Sequence, residues 1–433
     1  MESLIDGVYK GGQLPGTVTD QKLNKTSIRD IEFLYVVKDE AHLDSFIRGF
    51  SKNRLSRLED HAFAVCNLGE VIKRYDMFSK AFPKVRPYYA LKANNLYPIG
   101  KLLFELGAGF DTSSMNEVKQ ALSYGAGSED IVLAAAVKYP SHIRFCAQNN
   151  VPYMTFDNKE ELQKMKDHFQ NCKAILRISV ADSGSRLQLS EKYGAELKDV
   201  EDILLAAKEV DIDVVGVSFH VGWHCRDVST YLSAMQDAKS ALLKAISIGH
   251  PANILDIGGG FSCQPGQEEN FLEMSEIINS FLENELQTIK DLRVIAEPGT
   301  FLCESTVTLV TNVIGKRTVS NDTKYAYYLN EGSHGMFTDL KFSLRYEHLH
   351  MEILERKMKT QETHQSVLWG PTCDSDDFVC KDVQLPELCI GDSILFKHFG
   401  AYSWTEASEF GGNDKPDVIY VVTADQKERL NLL

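Results

Sequence analysis

The chain has 433 residues, of which 43% are hydrophobic and 25% charged, and its formal net charge at pH 7 is −15. This length is too great for one small hydrophobic core, so we expect two domains. The acidic balance, with no basic run, excludes nucleic acid and anionic membrane surfaces as partners. Neither a signal peptide nor a run of the ~20 apolar residues that a membrane span needs is predicted. The nine cysteines stand singly, without CxxC or metal-ligand spacing, which predicts a soluble cytoplasmic protein with no metal site.

The first sixty residues are weakly patterned at their start and then contain short regular elements. Residues 1–30 show no clear hydrophobic period. The apolar run 31–37 predicts a strand, 41–50 has the spacing of a helix, and 61–68 predicts a second strand.

Beyond about residue 65, short apolar strands alternate with amphipathic helices. This succession of eight β-then-α units predicts an α/β protein with a parallel sheet closed into a (β/α)8 barrel, with an open doubly wound sheet as the alternative. Functional residues of such barrels gather at the carboxyl ends of the strands. The predicted strands are 88–91, 109–111, 131–134, 153–156, 174–178, 214–220, 254–257 and 294–296, and the predicted helices include 115–123, 159–169, 200–210, 228–248 and 271–289.

The helical pattern ends near residue 300, and strand-like runs separated by turn residues follow. They predict a separate C-terminal β domain, which the strand at 31–37 is expected to join. The predicted strands are 305–314, 325–329, 366–369, 393–396 and 418–422. The expected organisation is an N-terminal segment 1–60 that partly joins the β domain, a barrel 61–300 and a β domain 301–433.

Lys92 lies at the end of the short aromatic strand 88–91 and is followed by polar turn residues. A lysine beside an apolar strand has little water around it, and desolvation lowers the pKa of its ammonium group. A lowered pKa suits a lysine that forms a Schiff base with a carbonyl compound. The alternative is a stem that lies along the core while the charged end reaches solvent.

Three further groups of residues lie at predicted strand ends. One strand leads into Gly258, Gly259 and Gly260, whose backbone N–H groups can approach a phosphate, although most such glycines only form turns. Glu297 is either salt-bridged or the partner of a ligand's ring nitrogen, as pyridoxal phosphate requires. His220 is either structural or stacked on a planar cofactor.

A loop of the expected β domain holds Cys373 next to Asp374, between turn residues. Most single cysteines behave as small hydrophobic residues. On an exposed loop beside a carboxylate, a thiol is a better candidate for a proton donor.

Taken together, these stretches resemble eukaryotic ornithine decarboxylase, a group IV pyridoxal-phosphate enzyme of the alanine-racemase-like fold. The resemblance runs from about residue 60 to residue 425. It implies a (β/α)8 barrel carrying pyridoxal phosphate, a C-terminal β domain and an obligate head-to-tail homodimer. The motifs that carry it are YYALKANN (88–95), FDTSSMNE (110–117), LRIS (176–179), SFHVG (218–222), DIGGGF (256–261), AEPG (296–299), WGPTCD (369–374) and GAY (400–402).

The resemblance implies a role for each matched residue. Lys92 matches the Schiff-base lysine, Glu297 the partner of the pyridine nitrogen, and His220 the residue stacked on the ring. Cys373 matches the acid that protonates the carbanion after CO₂ leaves, and Asp374 a contact of the substrate amine, both supplied by the other subunit. The remaining cofactor contacts that the resemblance implies are Asp111, Arg177, Gly258, Gly259, Gly260, Gly299 and Tyr402.

The family's acidic residue that reads the distal amine of the substrate has two possible matches. It matches Glu347 if residues 346–348 correspond to the family's Tyr-Asp-His, which needs a short local insertion. Without the insertion Ser343 takes this position, and no acid remains.

Two phosphate contacts of the family are replaced in this chain. The serine of the family's His-Val-Gly-Ser-Gly is Trp223, and the arginine after Glu-Pro-Gly is Thr300. Losing the arginine removes a charge-assisted contact worth roughly 1.5–3 kcal/mol, and the indole adds bulk near the phosphate. We expect cofactor affinity to fall on the order of a hundredfold unless neighbours such as His224 or Arg226 compensate.

The predicted function is a pyridoxal-phosphate-dependent decarboxylase of a basic amino acid, with L-ornithine converted to putrescine in polyamine biosynthesis. The alternatives are a decarboxylase of a different amino acid and a cofactor-free binding protein like the antizyme inhibitors, which keep the fold but lose cofactor contacts. Retention of Lys92, Glu297 and Cys373 favours the enzyme. Residues 138–164 are less basic than the family's antizyme-binding region, which argues against antizyme as a partner.

Overall fold

The computed structural model describes residues 19–20, 34–181, 185–225, 227–261, 268–319, 324–338, 349–355 and 362–432. The chain divides into two compact units, Met1–Glu70 with Thr306–Leu433, and Val71–Ser305. One unit is thus built from both ends of the chain and the other from its middle. Among the described residues, no helix combines the length and the apolar character that crossing a membrane requires.

The N-terminal elements agree with the pattern of the sequence where they are described. Helix α1 is longer than predicted and begins where the Asp39 side chain accepts a hydrogen bond from the backbone N–H of His42, which is a helix N-cap. The strand predicted at 31–37 is present over its last four residues, and 31–33 lie outside the described residues. The elements are β1 (Thr19–Asp20), β2 (Leu34–Val37), α1 (Glu40–Ser56), β3 (Phe63–Asn67) and α2 (Leu68–Ala81).

The middle unit alternates strands and helices throughout. Its first half contains β4 (Val85–Ala90), α3 (Tyr97–Glu105), β5 (Gly109–Thr112), α4 (Met115–Ser123), β6 (Ile131–Leu133), α5 (Pro140–Gln148), β7 (Tyr153–Phe156), α6 (Lys159–His168) and β8 (Lys173–Arg177). Its second half contains β9 (Ser185–Leu187), α7 (Val200–Glu209), β10 (Asp213–Ser218), β11 (Trp223–Cys225), α8 (Val228–Ile248), β12 (Ile254–Asp256), α9 (Glu268–Glu285), β13 (Arg293–Ala296) and α10 (Thr300–Cys303).

Eight strands of this unit form a closed parallel barrel. They lie in the order β4-β5-β6-β7-β8-β10-β12-β13, and β13 pairs with β4 to close the ring. This confirms the predicted (β/α)8 barrel and excludes the open sheet. The interior is a packed core to which most of the strands contribute a large buried side chain, as in other barrels of this type. These side chains are Tyr88, Val132, Tyr153, Ile175, Val215, Ile254 and Ile295.

Local capping explains where the barrel helices start and stop. The Ser114 side chain accepts a hydrogen bond from the Glu117 backbone N–H at the start of α4, and Asn158 caps α6 in the same way through Glu161. Helix α8 ends at Gly249, whose φ of 95° is the left-handed conformation that favours glycine. These caps fix where the loops before α4 and α6 end and where the loop after α8 begins.

The remaining elements form a mixed sheet with the N-terminal strands. The sheet order is β1-β2-β20-β3-β14-β15-β17-β18, and β19 joins β14 to β16. This confirms the predicted β domain. Its C-terminal elements are β14 (Val307–Val319), β15 (Lys324–Leu329), β16 (Met351–Glu355), β17 (Thr363–Trp369), β18 (Phe378–Pro386), β19 (Ser393–Phe396), β20 (Asp417–Thr423) and α11 (Ala424–Leu432).

Strand β3 lies in this mixed sheet, on the other side of the boundary expected at residue 61. It pairs antiparallel with β14 and parallel with β20. Phe63 and Val65 from this strand join a hydrophobic core with Phe46, Val310 and Val421. Strands β1, β16 and β18 of this sheet were not predicted.

Candidate active site

Lys92 and Asp111 form an ion pair at the carboxyl ends of two adjacent barrel strands. The Nζ atom of Lys92, just beyond β4, lies 2.5 Å from Oδ2 of Asp111 in β5. The turn that holds the lysine is shaped by Tyr89, whose hydroxyl donates to the carbonyl of Asn94 at 2.8 Å. Asp111 is 1% exposed, and its Oδ1 has no hydrogen-bond partner among the described residues. An acceptor is therefore left over for a further donor.

The surroundings of Lys92 differ from the expectation of a lysine with little water around it. Its side chain is 41% exposed. Its amine makes a charged hydrogen bond to the carboxylate of Asp111.

His220 follows β10 and is held as a neutral ring. Burial, together with the positive charges of Arg177 and Lys92, lowers its pKa well below the usual range. The backbone N–H of Gly222 donates to Nδ1 at 3.0 Å. Since Nδ1 accepts, the ring proton of the neutral imidazole lies on Nε2.

Glu297 and Asp256 are two carboxyls at neighbouring strand ends. Burial, followed by the negative charges of Asp111 and Asp256, raises the pKa of Glu297 well above its usual range. Burial also raises the pKa of Asp256 to about 7, although its Oδ1 accepts the N–H of Gly258 at 2.9 Å. Ionising both carboxyls is costly without a nearby cation, so the pair is suited to binding a positively charged group.

The glycine loop packs directly against these residues. Gly258 and Gly260 have φ angles of 64° and 96°, and a Cβ atom on either would overlap a backbone carbonyl oxygen, of Phe219 and of Gly222 respectively. A Cβ on Gly259 would lie 3.0 Å from Nε2 of His220. Only glycine therefore allows the loop backbone this close to the histidine.

Arg177 and Gly299 complete the predicted residues of this unit. The guanidinium of Arg177, at the end of β8, lies 5.6 Å from the centre of the Tyr193 ring and close enough to His220 to lower its pKa. A Cβ on Gly299 would lie 2.9 Å from the Cβ of Ala93, so the Glu-Pro-Gly turn packs on the turn that holds Lys92. The structure thus brings the predicted barrel residues to one end of the barrel.

Two residues of this site were not singled out from the sequence. One is Asp256, described above. The other is Glu117 in α4, whose pKa is raised by burial although the N–H and hydroxyl of Ser113 both donate to it. Each lies inside a recognised motif, and an acid at the end of an apolar strand or in the first helical turn was the available signal.

The other predicted residues belong to the mixed-sheet unit. Cys373 is exposed and Asp374 follows it in the same loop, while Tyr402 lies beyond β19 with a φ of 53°. Oδ2 of Asp374 lies 2.6 Å from Nε2 of His334, a contact that the sequence did not predict. The His334 ring stacks on Phe410 with centroids 4.2 Å apart. Glu347, the candidate reader of the distal amine, lies outside the described residues, as do Ser343 and Arg226.

The barrel residues fit pyridoxal phosphate. Lys92 offers a primary amine, and Glu297, whose ionisation is costly without a nearby cation, is suited to a protonated ring nitrogen. The unsatisfied Oδ1 of Asp111 is an acceptor for a polar group of a ligand. The loop from Gly258 to Gly260 brings backbone close to the site where a side chain would block it. A closed barrel with a lysine, an acid of raised pKa and a glycine loop at its strand ends is the arrangement that a pyridoxal-phosphate enzyme needs.

Comparison with known proteins agrees with this class. Residues 68–304 match the family model described as "Pyridoxal-dependent decarboxylase, pyridoxal binding domain". Antizyme inhibitor 2 of Xenopus laevis is 39% identical over 397 residues, covering 88% of this chain and 86% of that protein. Ornithine decarboxylase of Mus musculus is 37% identical over 410 residues, covering 90% and 87%. The arginine decarboxylase of Paramecium bursaria Chlorella virus superimposes with a TM-score of 0.81 at 34% identity, covering 87% of this chain and all of that one.

The chain therefore belongs to the pyridoxal-dependent decarboxylase family, among the eukaryotic ornithine decarboxylases and their relatives. It is a decarboxylase that uses pyridoxal phosphate as its cofactor.

Proposed function

We propose that this chain decarboxylates L-ornithine to putrescine and CO₂ for polyamine biosynthesis, acting in the cytoplasm as a homodimer with shared active sites. The observation that carries the proposal is the ion pair of Lys92 and Asp111 at the barrel strand ends, in the same cluster as Glu297, whose pKa is raised by desolvation. The mouse relative that is 37% identical is an ornithine decarboxylase, which supports ornithine as the substrate.

The barrel residues have distinct roles in this reaction. Bound pyridoxal phosphate supplies a sink for the electrons left when CO₂ departs. Lys92 would hold the cofactor through its amine, which Asp111 orients. Glu297 would keep the ring nitrogen protonated, because a carboxylate whose pKa is raised by desolvation is stabilised by an adjacent cation. His220, as a neutral imidazole, would add no competing positive charge beside the ring. Arg177, Gly258 to Gly260, Gly299 and Tyr402 hold the remainder of the cofactor.

The loop residues of the mixed-sheet unit act on the substrate in this proposal. The exposed thiol of Cys373 delivers a proton to the substrate's Cα after CO₂ has left. Asp374 binds the substrate amine, and its contact with His334 keeps the carboxylate in one orientation. Both residues reach the substrate from the partner subunit.

The second candidate is a cofactor-free binding protein of the antizyme-inhibitor type. The 39% identity to an antizyme inhibitor and the replacements at Trp223 and Thr300 favour it. The buried acids weigh against it. Lys92 already pairs with Asp111, but holding Asp256 and Glu297 together costs stability unless a cationic ligand offsets their charges. In a chain that binds no cofactor, this loss of stability would not be offset.

The test is reduction of the purified protein with borohydride in the presence of saturating pyridoxal phosphate, followed by peptide mapping. We expect a pyridoxyl label on Lys92, none in Lys92→Ala, and release of CO₂ from carboxyl-labelled ornithine by the wild type alone. A wild-type protein without the label would place the binding-protein candidate ahead. A labelled protein that releases CO₂ only from another amino acid would still be a decarboxylase, but ornithine would be rejected as its substrate.

A further inference from the structure

Two residues that depart from the family pattern contact each other. The indole Nε1–H of Trp223 donates a hydrogen bond to Oγ1 of Thr300 at 3.1 Å. These positions are 77 residues apart in the chain, so the barrel fold alone brings them together. Both positions are occupied by phosphate contacts in the family that this sequence resembles. The two replacements therefore form one paired unit at the expected phosphate end of the site.

The indole is fixed in place beside the glycine loop. Strand β11 pairs antiparallel with β9, and the backbone N–H of Cys225 donates to the carbonyl of Gly260 at 3.1 Å. The ring of His224, which is 3% exposed, lies edge-on to the indole with centroids 3.9 Å apart. Trp223 thus has little freedom to turn its N–H away from its acceptor.

Thr300 is equally well placed with respect to the other side of the site. It is 7% exposed and directly follows Gly299, which packs on Ala93 beside Lys92. Thr300 therefore follows directly on the residue that packs against the lysine turn, while its hydroxyl accepts from the indole.

The direction of the hydrogen bond determines what the hydroxyl can do next. An indole N–H can only donate, so Oγ1 of Thr300 is the acceptor in this contact. The hydroxyl's own hydrogen is then left for a different acceptor, and an oxygen that already accepts one hydrogen bond donates a stronger one. A phosphate monoester, rich in acceptor oxygens, is the matching group.

We propose that Trp223 is a positioning residue that orients the hydroxyl of Thr300 as a donor to the cofactor phosphate. The pair replaces a serine and an arginine of the family pattern with a neutral two-residue relay. The inference rests on the proposed cofactor site, and it means that the indole supports the phosphate contact rather than only filling its space.

The experiment compares dissociation constants for pyridoxal 5′-phosphate and for pyridoxal, which lacks the phosphate, on the full-length protein by absorbance and tryptophan fluorescence. We expect Thr300→Val to weaken the binding of pyridoxal 5′-phosphate by about ten- to a hundredfold, while the dissociation constant for pyridoxal is unchanged. Thr300→Ser, which keeps the hydroxyl, is the matched control and should stay close to wild type.

Trp223→Phe removes the N–H but keeps an aromatic ring. It should weaken the binding of pyridoxal 5′-phosphate by roughly two- to tenfold. In the Thr300→Val background it should cause no further loss of binding, because the hydroxyl that the indole orients is already absent. Additive losses, tighter binding in Trp223→Phe, or a Thr300→Val protein that keeps its preference for the phosphate would overturn the inference. If the wild type binds both ligands equally, the protein has no phosphate site, and the inference is wrong.

Discussion

Asp256 is the residue whose ionisation carries the clearest consequence for stability. It is fully buried at the end of β12, and its pKa is raised to about 7. An unfolded chain releases this proton near pH 4. Between these values the folded protein binds more protons than the unfolded one, so the free energy of unfolding falls as the pH rises.

Asp256→Asn should remove this loss, because an amide can still accept the N–H of Gly258 but carries no charge. We expect the variant to gain stability relative to wild type between pH 5 and pH 8, on the order of a few kcal/mol, in protein without added cofactor. Denaturant midpoints of both proteins at the two pH values measure the effect. A difference that does not change with pH would show that Asp256 is ionised throughout.

Glu347 is the residue on which substrate choice is predicted to depend. If it occupies the family's acidic position, its extra methylene brings the carboxylate about 1.5 Å further into the pocket. Lysine should then be disfavoured relative to ornithine by ~1–3 kcal/mol. The measurement is the ratio of kcat/KM for ornithine, lysine and an apolar amino acid, in wild type and in Glu347→Gln. An unchanged ratio would show that Glu347 does not read the distal amine.

At the level of elements, the glycine loop after β12 is the least tolerant of side chains. Gly258→Ala would place a Cβ into the carbonyl of Phe219 at a φ of 64°. We expect a cost of about 1–3 kcal/mol from backbone strain and a loss of cofactor binding. Thermal unfolding and cofactor absorbance measure the two effects.

Gly249→Ala provides the matched control for this substitution. Gly249 caps α8 with a φ of 95°, and a Cβ there would meet no atom within 4 Å. The control should therefore cost about 1 kcal/mol through its conformation alone and leave cofactor binding intact. Equal loss of cofactor binding in both variants would mean that general destabilisation, and not the loop, is responsible.

The barrel elements were predictable because their signal is local. Each strand is a short apolar run, and the longer helices have a clear period, with side-chain caps at the starts of α4, α6 and α8. Strand β18 was missed because only Val379 and Leu385 of its nine residues are buried and its middle holds the exposed Lys381 and Asp382. The sheet to which Phe63–Asn67 belongs could not be read, because its partner β14 lies far along the chain.

The same distinction applies to the site. The lysine, the glycines and Glu297 stand at strand ends, where a barrel collects its functional residues. The raised pKa of Asp256 and the contact of Asp374 with His334 depend on groups that only the folded chain brings together. Sequence pattern therefore located the site but not its electrostatics.

At the level of the whole molecule, the proposal of shared active sites predicts complementation. Lys92→Ala and Cys373→Ala subunits should each be inactive alone, since the first lacks the cofactor lysine and the second the proton donor. In a 1:1 mixture, half of the dimers are mixed and each regains one of its two sites, so about a quarter of wild-type activity should return. Decarboxylation assays after subunit exchange measure it.

A control mixture separates sharing from other effects. Lys92 and Glu297 both lie in the barrel unit of one chain, so Lys92→Ala mixed with Glu297→Ala should regain nothing. Restoration in neither mixture, with exchange demonstrated by mass, would rule out the shared site.

The sheet unit, which is assembled from both ends of the chain, has a consequence for biosynthesis. Strand β3 leaves the ribosome long before its two partner strands β14 and β20, which begin at Val307 and Asp417. At translation rates of about 5–20 residues per second, β3 waits for at least ten seconds, and the barrel can close during this time. The nascent chain therefore carries an unpaired apolar strand next to a finished domain, which is a surface that chaperones bind. Stalling the ribosome before β14 is made should yield a folded barrel with an unpaired N-terminal strand that is prone to aggregate.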